Sequence, residues 1–258
     1  MSFADCGGLR THYELTDGKG PVLVFSNSLG TNLAMWEPQM AALSPHFRIL
    51  RYDTRGHGQT SVTRGDYTME QLGRDVLNLL DALKLDRVHF CGLSMGGMIG
   101  IWLGAHVTER LHRLVPCNTA ARIGTKETWN SRIATVRKDG MVPVAAAVIE
   151  RWFTPEFRAA QPQRVAKMQR MIENSPPEGY ASCCAAIRDM DQTDAVAKIK
   201  VPTLVIYGAK DPVTPRSDAQ FLTSGIRGSK SVELDAAHLS NVEQDGEFTE
   251  SLACFLGA

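Results

Sequence analysis

From residue 21 onward, short apolar runs alternate with stretches whose apolar positions recur every three to four residues. PVLVFSNS (21–28) reads as a strand running into a polar loop, and FRILRYD (47–53) as the next strand. Between Met69 and Leu83, the residues Leu72, Val76, Leu79, Leu80 and Leu83 share one face at the helical period. RVHFCG (87–92) then predicts a strand, MGGMIGIWLGAHV (95–107) a helix and RLVPCN (113–118) another strand. Farther on, PTLVIYG (202–208) and SVELD (231–235) predict strands, with a closing helix from Glu247 to Leu256. Strands alternating with helices predict an α/β protein with a mostly parallel central sheet flanked by helices. The alternation lapses from Ala120 to about Ala197, which is helical in pattern, with PP at 176–177 and no strand. Helices inserted between two strands of one sheet read as a cap. The expected division is a core of 1–118 and 199–258 and a helical cap (lid) of 119–198.

Composition narrows the class. With 258 residues, 43% hydrophobic and 22% charged, the chain suits one large core carrying a modest insertion. Its 28 Lys+Arg balance 28 Asp+Glu, which argues against a nucleic-acid binder. The stretch between Arg87 and Glu109 holds no Lys, Arg, Asp or Glu, long enough to raise the question of a membrane span. Its His89, Ser94 and His106, with glycines at 92, 96, 97, 100 and 104, favour a buried strand and helix, so no membrane association is expected. The segment from Met1 to Arg10 has Asp5 and no signal-peptide core. Six cysteines without CxxC or metal-finger spacing read as free thiols in a reducing cytoplasm.

The strongest chemical signal is GLSMG (92–96), a G-x-S-x-G between a predicted strand and a predicted helix. That context would hold Ser94 in a sharp turn at the carboxyl end of the sheet, as a nucleophile. A serine hydroxyl needs a base, and His238 follows the last strand and DAA (235–237). The base needs an acid, and Asp211 ends TLVIYGAKD. The chain order Ser94, Asp211, His238 is the order this strand–helix arrangement predicts. Asp235 competes by proximity to His238, but its position at a strand end reads as structural. One oxyanion donor is expected from the Met95 backbone N–H at the helix start, and its partner from Leu29 N–H in the loop SNSLGT (26–31). RYDTRGHGQTS (51–61) reads as a structural turn, with Asp53 and Arg55 holding the loop near Ser94.

Together these residues resemble the α/β-hydrolase superfamily across the core. FSNSLGTNLAMW, YDTRGHGQTS, CGLSMGGMIG, YGAKDPVTP and AAHLSNVEQ are further similar to bacterial 3-oxoadipate enol-lactonases. Many superfamily members carry HG where this chain has Asn27 and Ser28. The resemblance implies hydrolysis of a carboxymethyl-bearing enol-lactone to 3-oxoadipate in the β-ketoadipate pathway of aromatic degradation. Water would be the co-substrate, with no cofactor and no metal. A general carboxylesterase or a cofactor-free haloperoxidase-like perhydrolase would keep the same triad, and a slowly hydrolysing ligand receptor is a more distant alternative. Dehalogenases and epoxide hydrolases are disfavoured because they use a nucleophilic aspartate. A homo-oligomer is compatible with the sequence, which specifies no assembly.

The substrate carboxylate calls for a cation, and the cap offers Arg122, Arg132 and Arg151, with Trp129 and Trp152 as apolar walls. Trp129 and Arg132, three apart, share a helix face and are the preferred pair. From Arg122 to Arg170 there are ten Lys/Arg against four Asp/Glu, so the neutral total conceals a basic region suited to steering a small anion.

Overall fold

The computed structural model describes residues 2–258. Eight strands form one sheet: β1 (Ser2–Asp5), β2 (Arg10–Leu15), β3 (Val22–Ser26), β4 (Arg48–Tyr52), β5 (Val88–Leu93), β6 (Leu111–Cys117), β7 (Leu204–Gly208) and β8 (Lys230–Leu234). Their spatial order is β1-β2-β4-β3-β5-β6-β7-β8. β1 and β2 form an antiparallel hairpin added to β4, and every later pairing is parallel. The central strands β3 and β5 are buried at every position, which matches their largely apolar sequences VLVFS and VHFCGL. After β3 the chain goes to β4 on one side and then crosses to β5 on the other. Ligands of open parallel sheets bind at such a reversal, beyond the carboxyl ends of the strands.

The first helices are α1 (Glu37–Leu43), α2 (Met69–Ala82) and α3 (Met95–His106). In α2 the predicted face is the buried one, and the Thr68 side chain caps the helix by accepting from Gln71 N. Leu72, Val76, Leu79 and Leu80 there contribute roughly 2 kcal/mol each through burial. α3 is buried around most of its circumference, so its apolar stretch belongs to the core. Among the described residues no helix is long and apolar enough to cross a membrane.

Between β6 and β7 lie α4 (Lys126–Asp139), α5 (Val142–Trp152), α6 (Pro155–Ala160), α7 (Pro162–Glu173) and α8 (Pro177–Asp189). α4 packs on α8 and α5 on α7. The remaining helices are α9 (Arg216–Gly225), α10 (Ser240–Glu243) and α11 (Asp245–Leu256). The hairpin β1–β2, α1 and α9 do not stand out in the hydrophobic pattern. β1 and β8 are edge strands that bury few positions, and α1 buries only Gln39 and Leu43.

Candidate active site

β5 runs directly into a tight turn that has no room for a side chain at two of its positions. Ser94 has φ 56° and ψ −116°, and Met95 begins α3. A Cβ on Gly92 would lie 2.1 Å from the Gly96 carbonyl oxygen, and one on Gly96 would lie 2.2 Å from that of Ser26. Glycine at both positions lets the helix start press against its own strand and against β3. The strained residue is tied on both sides. Ser94 N–H donates to Cys117 O at 2.9 Å, while Thr119 Oγ1 and Met98 N donate to Ser94 O at 2.7 and 3.0 Å.

His238 lies on the loop after β8 and Asp211 on the loop after β7, both almost fully buried. Their side chains meet, with His238 Nδ1 2.8 Å from Asp211 Oδ2. Asp211 Oδ2 also accepts from Asn118 Nδ2 at 2.9 Å and Thr214 Oγ1 at 2.7 Å, and Oδ1 accepts from the N–H groups of Val213 and Thr214. Burial pushes this carboxyl up. The His238 charge and the hydrogen bonds from His238, Asn118 and Thr214 outweigh it and hold the group down at about 2. An ionised Asp211 accepts a hydrogen bond from Nδ1–H, which leaves His238 Nε2 as an acceptor. Ser94 and His238 line one pocket.

The oxyanion candidates lie on either side of the switch between β3 and β5. Met95, first in α3, contributes an N–H without an intrahelical acceptor, at the positive end of the helix. Leu29 sits in the turn after β3, next to Ser28 N, which donates to Met35 Sδ, and Gly30 N, which donates to His57 Nε2 at 2.9 Å. Burial pushes His57 down to about 4, so its imidazole is neutral and Nε2 stays available as an acceptor. Thus His57 reaches the Leu29 turn directly. Arg55 instead pairs with Asp75 through two hydrogen bonds, and Asp53 binds His12, Leu33 N and Gln59 N. Asp235 pairs with Lys210 at the surface.

Helices α4, α5 and α8 roof the pocket with Trp129, Arg132, Val148, Arg151, Trp152, Tyr180 and Ile187. The Arg132 guanidinium lies over the Trp129 ring, 5.0 Å from its centroid, and the Trp152 ring lies 6.5 Å from that of His238. Arg122 is exposed and pairs with Asp191, away from this lining.

Three residues to which the sequence assigns no role, Asn118, Glu243 and Thr154, support the arrangement. Asn118, just past β6 at φ 41°, donates to Asp211 and to Ala237 O and accepts from Ser240 Oγ at 2.5 Å. Glu243 is buried, and its carboxylate accepts from Ala237 N at 2.9 Å, from Thr154 N at 3.1 Å and from Thr154 Oγ1. A polar residue at a strand's carboxyl end was a signal for Asn118. Glu243 and Thr154 are far apart in sequence and carried none. No group of three His, Cys, Asp or Glu side chains that could hold a metal ion occurs among the described residues.

A serine at a strained strand–helix turn, with a histidine and an aspartate on later strand ends, belongs to a hydrolase of the α/β class. The α/β hydrolase fold family matches residues 21–245, and the chain belongs to that family. It is 45% identical over 232 residues to 3-oxoadipate enol-lactonase 2 of Acinetobacter baylyi, covering 90% of this chain and 87% of that protein. It is 40% identical to 3-oxoadipate enol-lactonase 1 of the same organism, covering 92% and 88%. The crystal structure of the enol-lactonase from Burkholderia xenovorans LB400 superposes with a TM-score of 0.98 at 45% identity, covering 100% of both chains.

Proposed function

We propose that this protein hydrolyses 3-oxoadipate enol-lactone to 3-oxoadipate, as a step of the β-ketoadipate pathway in the cytoplasm. The observation that carries the reading is that Ser94, His238 and the cap guanidinium of Arg132 line one small pocket. That pocket suits a compact ester with a carboxylate at its other end, and the named relatives supply the ring. The helical segment 119–198 acts as the lid that brings Trp129, Arg132 and Trp152 over the substrate. The ligands are a small anionic lactone and water.

Ser94 Oγ attacks the lactone carbonyl as His238 Nε2 takes its proton, and Asp211 stabilises the imidazolium. The N–H groups of Leu29 and Met95 hold the developing oxyanion. Collapse breaks the acyl–oxygen bond of the ring. The enol oxygen leaves, receives the proton from His238 and stays tethered to the acyl group. The enol tautomerises to the ketone. His238 then takes a proton from water, whose oxygen attacks the acyl carbon, and Ser94 departs with that proton. An enol leaves more readily than an amine, so the acid step is less demanding than in peptide hydrolysis.

The test is loss of enol-lactone absorbance with the purified protein, compared with an uncharged aryl ester. Rapid loss with a strong preference for the lactone is expected, abolished in Ser94→Ala. Unchanged lactone absorbance beside efficient aryl ester turnover would replace this reading with a general carboxylesterase.

A further inference from the structure

The pocket holds more positive charge than a monoanionic lactone requires. Arg122, Arg137, Arg164 and Arg188 of the 119–198 segment all pair with carboxylates. Arg132 and Arg151 line the pocket, and neither has an ion pair among the described residues. Arg151 Nε reaches only Ala147 O, at 3.4 Å. Arg132 has the Trp129 face and the buried Tyr180 beside it. Burial, and then the charge of Arg132, pull the Arg151 guanidinium below its ordinary range. Two neighbouring guanidiniums without counter-ions repel each other and lack part of their solvation. An anion bridging them relieves both costs, and a carboxylate matches the guanidinium fork.

We propose that Arg151 joins Arg132 in a two-arginine carboxylate subsite, and that this pair makes short carboxylate-bearing acyl chains the ligand class of the pocket. The inference rests on the lactonase reading and adds to it a specificity-determining residue and a product site. Hydrolysis turns a monoanion into a dicarboxylate, so the pocket that selects the substrate also retains its product. Product-like dicarboxylates therefore act as ligands of the resting protein. Arg151 is not adjacent to the triad in sequence, and it lies on α5, one helix away from Arg132 on α4.

Isothermal titration calorimetry with adipate and adipamide, its uncharged isostere, tests this without turnover. Adipate is expected to bind at least about 10-fold more tightly, because its carboxylates form charge-assisted hydrogen bonds with the guanidiniums that the amides cannot. Arg151→Met and Arg132→Met should each reduce that preference about 10-fold or more, with non-additive effects in the double variant. Arg151→Lys, which retains charge without the fork, should recover part of it. Circular dichroism establishes that each variant is folded, and Arg151→Lys serves where the methionine variant is not. Equal binding of adipate and adipamide, or a preference unchanged in both Arg151 variants, overturns the subsite. Adipate selectivity that depends on Arg151, in a protein that leaves enol-lactone intact, removes the lactonase reading and keeps the subsite. Lactone turnover without Arg151-dependent selectivity does the reverse.

Discussion

His57 Nε2 accepts the Gly30 backbone N–H at 2.9 Å, so a buried imidazole on the loop after β4 holds the turn that carries Leu29. Protonation would replace this acceptor with a second donor. His57→Phe should therefore lower kcat about 10-fold, through a misplaced Leu29 N–H, with a smaller effect on KM. Steady-state kinetics check this, and unchanged kcat in a folded variant counts against the role. The pH dependence has a definite sign. His57 is pushed from 6.5 down to about 4, so its contribution is complete above 6.5 and is lost as pH falls towards 4. Urea denaturation between these values should show stability falling by up to ~3 kcal/mol from this group, with His57→Phe flatter over the same range.

Ser94 combines φ 56° with a side chain that the region disfavours. Ser94→Ala and Ser94→Gly should both lack hydrolysis. Glycine should nevertheless be the more stable of the two by about 1 kcal/mol, against the usual order, because backbone strain of this kind costs about 1–3 kcal/mol. Thermal melts of the two variants compare them directly. An alanine variant more stable than the glycine variant would show that the turn stores no strain.

Asn118 links three strand-end loops through Asp211, Ala237 and Ser240. Asn118→Leu keeps the branching at Cγ and removes all three bonds. The expected result is a kcat reduced about 10-fold at nearly constant KM, with a stability loss of about 1–3 kcal/mol from the unpaired partners. A raised KM at unchanged kcat would place its effect in binding and not in the alignment of Asp211.

Glu243 bridges Thr154, at the start of α6, and Ala237, the residue before His238. Leu239 N also donates to Trp152 O at 3.0 Å, so the roof of the pocket and the histidine loop are joined on both sides of His238. Glu243→Gln places an amide donor against one of these N–H groups. It should lower kcat about 10-fold and stability by about 1–3 kcal/mol. Lower melting temperature with unchanged kcat would assign Glu243 to folding alone.

Much of the core was legible because local physics dominates there. β3 and β5 are buried on both faces, so they are largely apolar without a polar–apolar alternation, and α2 has one buried face, so its period was plain. GLSMG was readable because a serine turn pressed between a strand and a helix needs glycine at 92 and 96. The hairpin β1–β2 was not legible: it lies at the sheet edge, where half-exposed strands carry a weak pattern. Asp53 and Arg55 were legible as loop-holding residues, but their partners were not, and the contact to the Leu29 turn comes from His57.

By itself, the sequence determined the order of strands and helices, the turn around Ser94 and the positions of Asp211 and His238 at strand ends. Each depends on residues within a few positions of one another. Only the tertiary structure decided which polar groups meet. It brought Asn118 to Asp211, Glu243 to both Thr154 and Ala237, and Arg151 to the pocket that Arg132 also lines. Those contacts are made through the packing of separate elements, and hydrophobic periodicity carries no information about the partner a buried polar atom will find.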